Sequence, residues 1–213
     1  MIRSNMPEIM MSVHPRWIEL IKTIIGQKDG KPLYKKRYEI RKKRPKQEPP
    51  YRCFLYETMA KGGCGKVVGE FVCDQVVEFE SEFVDDDCYE SIGVVWYDED
   101  DGEREVSIFT DNGDANFLNN KLCEESCVPL NELRRYVGVG INTFYGWRIS
   151  DLKIYDTPRE LTEFARVGVC FEKWQTFFPA GSLIATRENF DKVNLLHHPP
   201  LSWQFVREVQ HEE

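Results

Sequence analysis

The chain has 213 residues, of which 41% are hydrophobic and 13% aromatic. That is enough apolar matter for a sizeable core and excludes a wholly disordered protein. The net charge of −8 excludes a uniformly basic nucleic-acid binder. Its distribution is the more informative fact: residues 1–50 carry 13 Lys/Arg against 5 Asp/Glu, whereas residues 51–213 carry 15 against 31. Such polarity predicts one face for an anion and another that is solvated or meets a different partner. The seven cysteines (Cys53, Cys64, Cys73, Cys88, Cys123, Cys127 and Cys170) are odd in number. No secretory pattern precedes them, so free thiols in a reducing compartment are expected. No apolar run nears the roughly 20 residues of a bilayer span. The expectation is a cytoplasmic protein with no membrane partner.

In chain order, the apolar segment from Glu8 to His14 reads as a buried first strand. Pro15 then opens a helix predicted over residues 15–26, with Trp17, Ile18, Leu20, Ile21, Ile24 and Ile25 at helical spacing and Gly26 ending it. Leu33 to Lys42 alternates as a strand, and Pro45, Pro49 and Pro50 force a loop after it. Tyr51 to Tyr56 is a third strand, with Phe54 and Tyr56 on one face. Val67 to Phe79 reads as one long strand in which Gly69 marks a bulge or a close backbone approach. Residues 80–114 hold 14 acidic side chains and one basic, Arg104, and predict an acidic hairpin insert. Pro129 to Val137 is a short helix, Tyr145 to Tyr155 a single strand, Pro158 to Phe164 a helical turn, and Ser202 to Val206 the closing strand. Residues 165–196 are taken as a second insert, so that 1–213 forms a single domain with two insertions.

Several phrases together carry a family likeness. They are Ser12-Val-His-Pro15 before Trp17-Ile-Glu-Leu-Ile21, then Lys35-Lys-Arg-Tyr-Glu-Ile-Arg-Lys-Lys-Arg-Pro45, Gly65-Lys-Val-Val-Gly-Glu-Phe-Val72 and Gly146-Trp-Arg-Ile-Ser-Asp-Leu-Lys-Ile-Tyr-Asp156. In this order they resemble the ASCH domain family of the PUA-like superfamily, in the type found in phages and Firmicutes-like bacterial genomes. The resemblance covers residues 9–79 and 128–164 and extends to the closing strand around Trp203. It implies an α+β fold, a PUA-like (ASCH) mixed β-pseudobarrel of five to six strands with flanking short helices and a cleft beside the first helix. It also implies binding of RNA or a nucleotide. A few members are amidohydrolases acting on acetylated cytidine, or ribonucleases.

The basic strand is the first candidate site. Glu39 and Arg41 point to one face because strand side chains alternate. Arg41 can fork onto a phosphate or a carboxylate, Glu39 can accept from an exocyclic amine or simply pair with Arg41, and Lys42, Lys43, Arg44 and Lys46 line the Pro-bounded loop behind them. Lysine-guarded edge strands are common, but nine basic residues within 31–46 exceed that need. Tyr145, Trp147 and Ser150 form a second cluster; aromatics beside basic residues can stack on a base, and Trp147 can equally belong to the core. Ser12, His14 and Pro15 would line the cleft that the resemblance implies. In the family's amidohydrolases a lysine precedes a threonine nucleophile by three positions. Lys36 matches the lysine, but Glu39 stands at the threonine, and a carboxylate cannot replace an activated hydroxyl. Glu70 lies on the strand that supplies their catalytic acid, or is a rim carboxylate paired with a lysine. Cys123-x-x-x-Cys127 and His197-His198 lack the matched pair a zinc site needs. The expectation is an RNA- or nucleotide-binding module with no metal or cofactor. Its rivals are a hydrolase using Lys36, Glu39 and Glu70, and a phage-type interaction factor that binds a protein through the acidic insert.

Overall fold

In a computed structural model of the chain, the structure describes residues 6–28, 30–83, 90–97, 104–107, 122–167, 189–190 and 194–209. The chain forms two compact units, each assembled from separated segments. The first takes residues 1–18, 51–72 and 151–213, and the second 19–50 and 73–150.

The first unit is built on a six-stranded sheet of β1 (Glu8–Val13), β5 (Tyr51–Glu57), β6 (Val67–Cys73), β11 (Ser150–Arg159), β12 (Phe164–Arg166) and β13 (Trp203–Glu208). Its spatial order is β11-β6-β5-β1-β13-β12. β1 pairs in parallel with β5, Ile9 opposite Cys53, and antiparallel with β13, Ile9 opposite Phe205. β5 is buried almost throughout, which explains its nearly unbroken apolar sequence. Met10, Phe54, Tyr56, Val67, Leu161, Phe164, Leu196 and Val206 form its core, with the Phe54 and Phe164 rings edge to face at 4.8 Å.

The second unit carries a five-stranded sheet of β4 (Tyr38–Arg41), β7 (Val76–Phe83), β8 (Glu90–Tyr97), β9 (Arg104–Ser107) and β10 (Gly140–Arg148), in the order β4-β10-β7-β8-β9. It also holds the hairpin of β2 (Ile24–Lys28) and β3 (Lys31–Tyr34), a helical segment at 122–126 and helix α2 (Leu130–Val137). Phe79 and Phe144 stack at 5.2 Å, and Trp147, Leu133, Val137 and Ile40 are buried in this unit. The acidic hairpin expected over 80–114 is present as β8 and β9, which pair antiparallel with Val95 opposite Val106 and extend this sheet. The segment between them lies outside the described residues, as does most of the expected second insert.

Three expectations about elements are corrected. Helix α1 runs only from Pro15 to Lys22. Thr23 closes it, its backbone N and Oγ1 both donating to the Glu19 carbonyl at 3.1 and 2.7 Å. Ile24 and Ile25 then start β2, 58% and 56% exposed; three successive β-branched residues favour a strand over a further turn. Second, the strand expected over 33–42 is two, β3 and β4, with Lys35, Lys36 and Arg37 between them. Third, the long strands expected over 67–79 and 145–155 each break into two that serve different sheets. The breaks are held together: Arg148 forks onto Asp74 with two 2.7 Å contacts, and its backbone N donates to Gln75 O at 2.9 Å.

Gly69 is the close approach that its place in a strand suggested. A Cβ there would lie 2.6 Å from the Lys153 carbonyl of neighbouring β11. Gly69→Ala should therefore lose about 1–3 kcal/mol as the backbone shifts to admit the methyl. Urea unfolding reads it directly, and an unchanged midpoint would contradict this packing.

Candidate functional site

The basic segment folds inward before it turns outward. Lys36, between β3 and β4, is 1% exposed, and Glu39 and Arg41 on β4 are 5% and 8% exposed. Glu39 and Arg41 share a face, as alternation requires, and the Arg41 Nη2–Glu39 Oε1 distance is 3.0 Å. Lys36 Nζ lies 3.3 Å from the other oxygen of Glu39 and donates to the Ser126 carbonyl at 2.6 Å. One buried carboxylate thus sits between two cations. Burial lowers the Lys36 pKa and outweighs the opposing pull of Glu39.

The segment 125–127 is zipped onto residues 35–37. Arg37 N donates to Glu125 O at 2.6 Å, the Arg37 guanidinium meets the Glu125 carboxylate at 2.9 Å, and Cys127 Sγ lies 3.5 Å from Lys35 O. None of these partners is visible in the local pattern, because Lys36 and Ser126 are 90 residues apart.

Beyond Arg41 the chain surfaces. Lys42, Lys43 and Lys46 are exposed and Arg44 is half-buried. Two of these cations lie over aromatic rings: Lys42 Nζ is 5.3 Å from the centre of Tyr136, and Arg44 is 5.9 Å from that of Tyr145. Tyr145 lies directly opposite Arg41 in the β4–β10 ladder. Tyr136, on α2 and 39% exposed, was not singled out by the sequence; only the helix packing shows that it borders the basic loop. Arg44 is also forked by Glu48 at 3.0 Å, an exposed pair of the kind that adds little stability and that a phosphate can displace.

The other expected site residues are placed as follows. Trp147 is fully buried, so the core alternative describes it and a base cannot stack on it as folded. Ser150 hydrogen-bonds to Asp74 beside Arg148. Ser12 Oγ donates to Pro200 O at 2.6 Å. The carbonyl of His14 accepts from Trp17 N at 2.8 Å, and its Nδ1 accepts from Arg16 N at 3.2 Å, which makes it the N-terminal cap of α1; Pro15 is the first helical residue.

Glu70, the remaining candidate, belongs to an ionic network of the first unit. It is 5% exposed and accepts from Arg52 and, at 2.8 Å, from the Tyr155 hydroxyl. Its partner is therefore an arginine where a lysine was expected. Arg52 also reaches Glu8 at 2.8 Å and Glu208 at 2.6 Å, and Arg159 binds Glu208 and Glu163. Burial by itself would raise the Glu208 pKa, but the guanidiniums of Arg159 and Arg52 hold it below its ordinary 4.5. A carboxylate whose pKa is lower folded than unfolded adds stability that is complete above about pH 4.5 and vanishes as pH falls through the folded value. The parent should lose stability in acid more steeply than Glu208→Gln when unfolding is followed downward from about pH 6. Parallel profiles would contradict the pairing.

No family model and no curated protein matches this chain. Among solved structures it is similar to ASCH from Zymomonas mobilis, with 14% identity, 94% of this chain and 88% of that chain covered, and a TM-score of 0.50. Two single-residue variants of that protein also match, at 15% and 14% identity, each over 94% of this chain and over 89% and 91% of theirs, with TM-scores of 0.49 and 0.47. At this identity the likeness defines the fold: a mixed α+β architecture of the PUA-like, ASCH type. No helix among the described residues is long and apolar enough to cross a membrane.

Proposed function

We propose that the chain is an RNA- or nucleotide-binding module whose contact surface is the basic, aromatic rim at the end of β4. The observation that carries this reading is the pairing of Lys42 with Tyr136 and Arg44 with Tyr145 beside Arg41. Cations neutralise phosphates, and an aromatic ring next to them offers a stacking face to a base. Lys36 supports the site from beneath, its buried ammonium keeping the cluster with Glu39 and Arg41 net positive. The ASCH-type fold agrees with this reading at the level of the family. Assignment to the phage or Firmicutes type rests on the sequence phrases alone.

Binding to a short fluorescent RNA tests it. Lys42→Ala with Arg44→Ala should weaken binding at least tenfold, about 1.4 kcal/mol, and Tyr145→Ala by about 1–3 kcal/mol. Unchanged affinity in both would refute the site. A second reading, hydrolysis, is favoured by one observation: burial pushes the Lys36 pKa down, toward the neutral amine that acts as a base. Acetylated cytidine and short RNA are the substrates to try. Turnover that disappears in Lys36→Met would replace the binding reading with an enzymatic one, and absence of turnover by the parent would dismiss it.

A further inference from the structure

A groove of about 630 Å³ lies in the second unit. It is lined by Leu20, Ile25, Lys35, Arg37, Cys123, Glu124, Cys127 and Pro129, a size suited to a small ligand. Two cysteines border this groove, both half-buried and neither in a disulfide. Lys35 and Arg37 add positive charge to the wall, Glu124 a single negative charge, and Leu20, Ile25 and Pro129 apolar surface. We propose that Cys127 is a thiol-modification site for a small disulfide bearing carboxylates and an ammonium, of the oxidised-glutathione class, seated in this groove.

The wall matches that chemistry group by group. One carboxylate meets Lys35 through a charge-assisted hydrogen bond, and a second takes the Arg37 guanidinium over from Glu125, its present partner at 2.9 Å; the ammonium meets Glu124, and the reagent's backbone lies on the apolar residues. Other described cysteines offer less. Cys53 and Cys73 are buried, and Cys64, though exposed, is not part of this groove. Cys123 lies within the helical segment 122–126, whereas Cys127 follows it with Sγ 3.5 Å from the Lys35 carbonyl; standing at the cationic wall, Cys127 is the attacking thiol of the pair. In the step itself Cys127 Sγ, giving up its proton, attacks one sulfur of the reagent. The reagent's S–S bond breaks, a mixed disulfide forms on Cys127, and the other half leaves as a thiolate that takes up a proton. Cys123 can then displace the bound half, giving a Cys123–Cys127 disulfide and a second small thiol.

The adduct would reach the buried charges. Cys127 holds a left-handed φ of 56° and follows Ser126, whose carbonyl takes the Lys36 ammonium. Moving it strains the contacts of residues 125–127 with residues 35–37.

The test treats the reduced full chain with oxidised glutathione and maps every cysteine by mass spectrometry. Cys127 should react first, appearing as the mixed disulfide or as the pair with Cys123. Cys127→Ser should abolish both products. Lys35→Gln should slow the reaction by about threefold and leave that with neutral hydroxyethyl disulfide unchanged. In hydrogen exchange, the peptide containing residues 35–41 should exchange faster in the adduct. Earlier reaction at any other cysteine, or equal slowing with both reagents, overturns the assignment. Unchanged exchange overturns the link to Lys36.

Discussion

Glu39→Gln is expected to destabilise the protein by about 3–5 kcal/mol, the usual consequence of removing one partner from a buried ion pair. The substitution preserves shape and leaves Lys36 and Arg41, 1% and 8% exposed, facing one another without the carboxylate that now separates them at 3.3 and 3.0 Å. Lys36→Met should be much milder, below about 1.5 kcal/mol, because it leaves Glu39 and Arg41 as a neutral pair. The two variants also separate by pH. A lysine whose pKa is lower folded than unfolded gains stability as pH rises through the folded value toward 10.5. The deficit of Glu39→Gln should therefore shrink in alkali. Denaturant unfolding of the two variants side by side measures the order, and equal losses would contradict the charge arrangement.

Arg52→Ala should have a comparable effect on the first unit, again about 3–5 kcal/mol. Its guanidinium, 19% exposed, touches Glu8 on β1, Glu70 on β6 and Glu208 on β13. Removal leaves Glu70 buried with the Tyr155 hydroxyl and sets three carboxylates close together. Arg52→Lys should recover little, since one ammonium cannot hold the geometry of a five-donor fork. Unfolding midpoints of both variants near the parent's would show that the network is ornamental to stability.

Most elements of this fold were legible because they are local. The apolar run of β1, the proline that starts α1 and the glycine on β6 each act within a few residues. The chain's transfers between sheets were not legible. Alternation continues through Cys73-Asp74-Gln75-Val76 and through Arg148-Ile149-Ser150 with no glycine or proline to mark a break. The Asp74–Arg148 fork that fixes both breaks joins residues 74 apart. At the candidate site, the shared face of Glu39 and Arg41 followed from strand periodicity. The burial of Lys36 did not, because a lysine in a charged run reads as solvated until Ser126 and the 125–127 segment cover it. Trp147 shows the reverse: its neighbours suggested a binding aromatic, whereas β10 places it in the core.

The central claim is that the rim of Lys42, Arg44, Tyr136 and Tyr145 receives phosphates. The most direct measurement is RNA affinity as a function of salt concentration for the parent and for Lys42→Ala with Arg44→Ala. Each phosphate contact on a single strand contributes about 0.7 to the slope of log affinity against log salt. The parent should show a steep negative slope, and the double variant one shallower by about 1.4. Equal slopes, or no binding by the parent at low salt, would contradict the account.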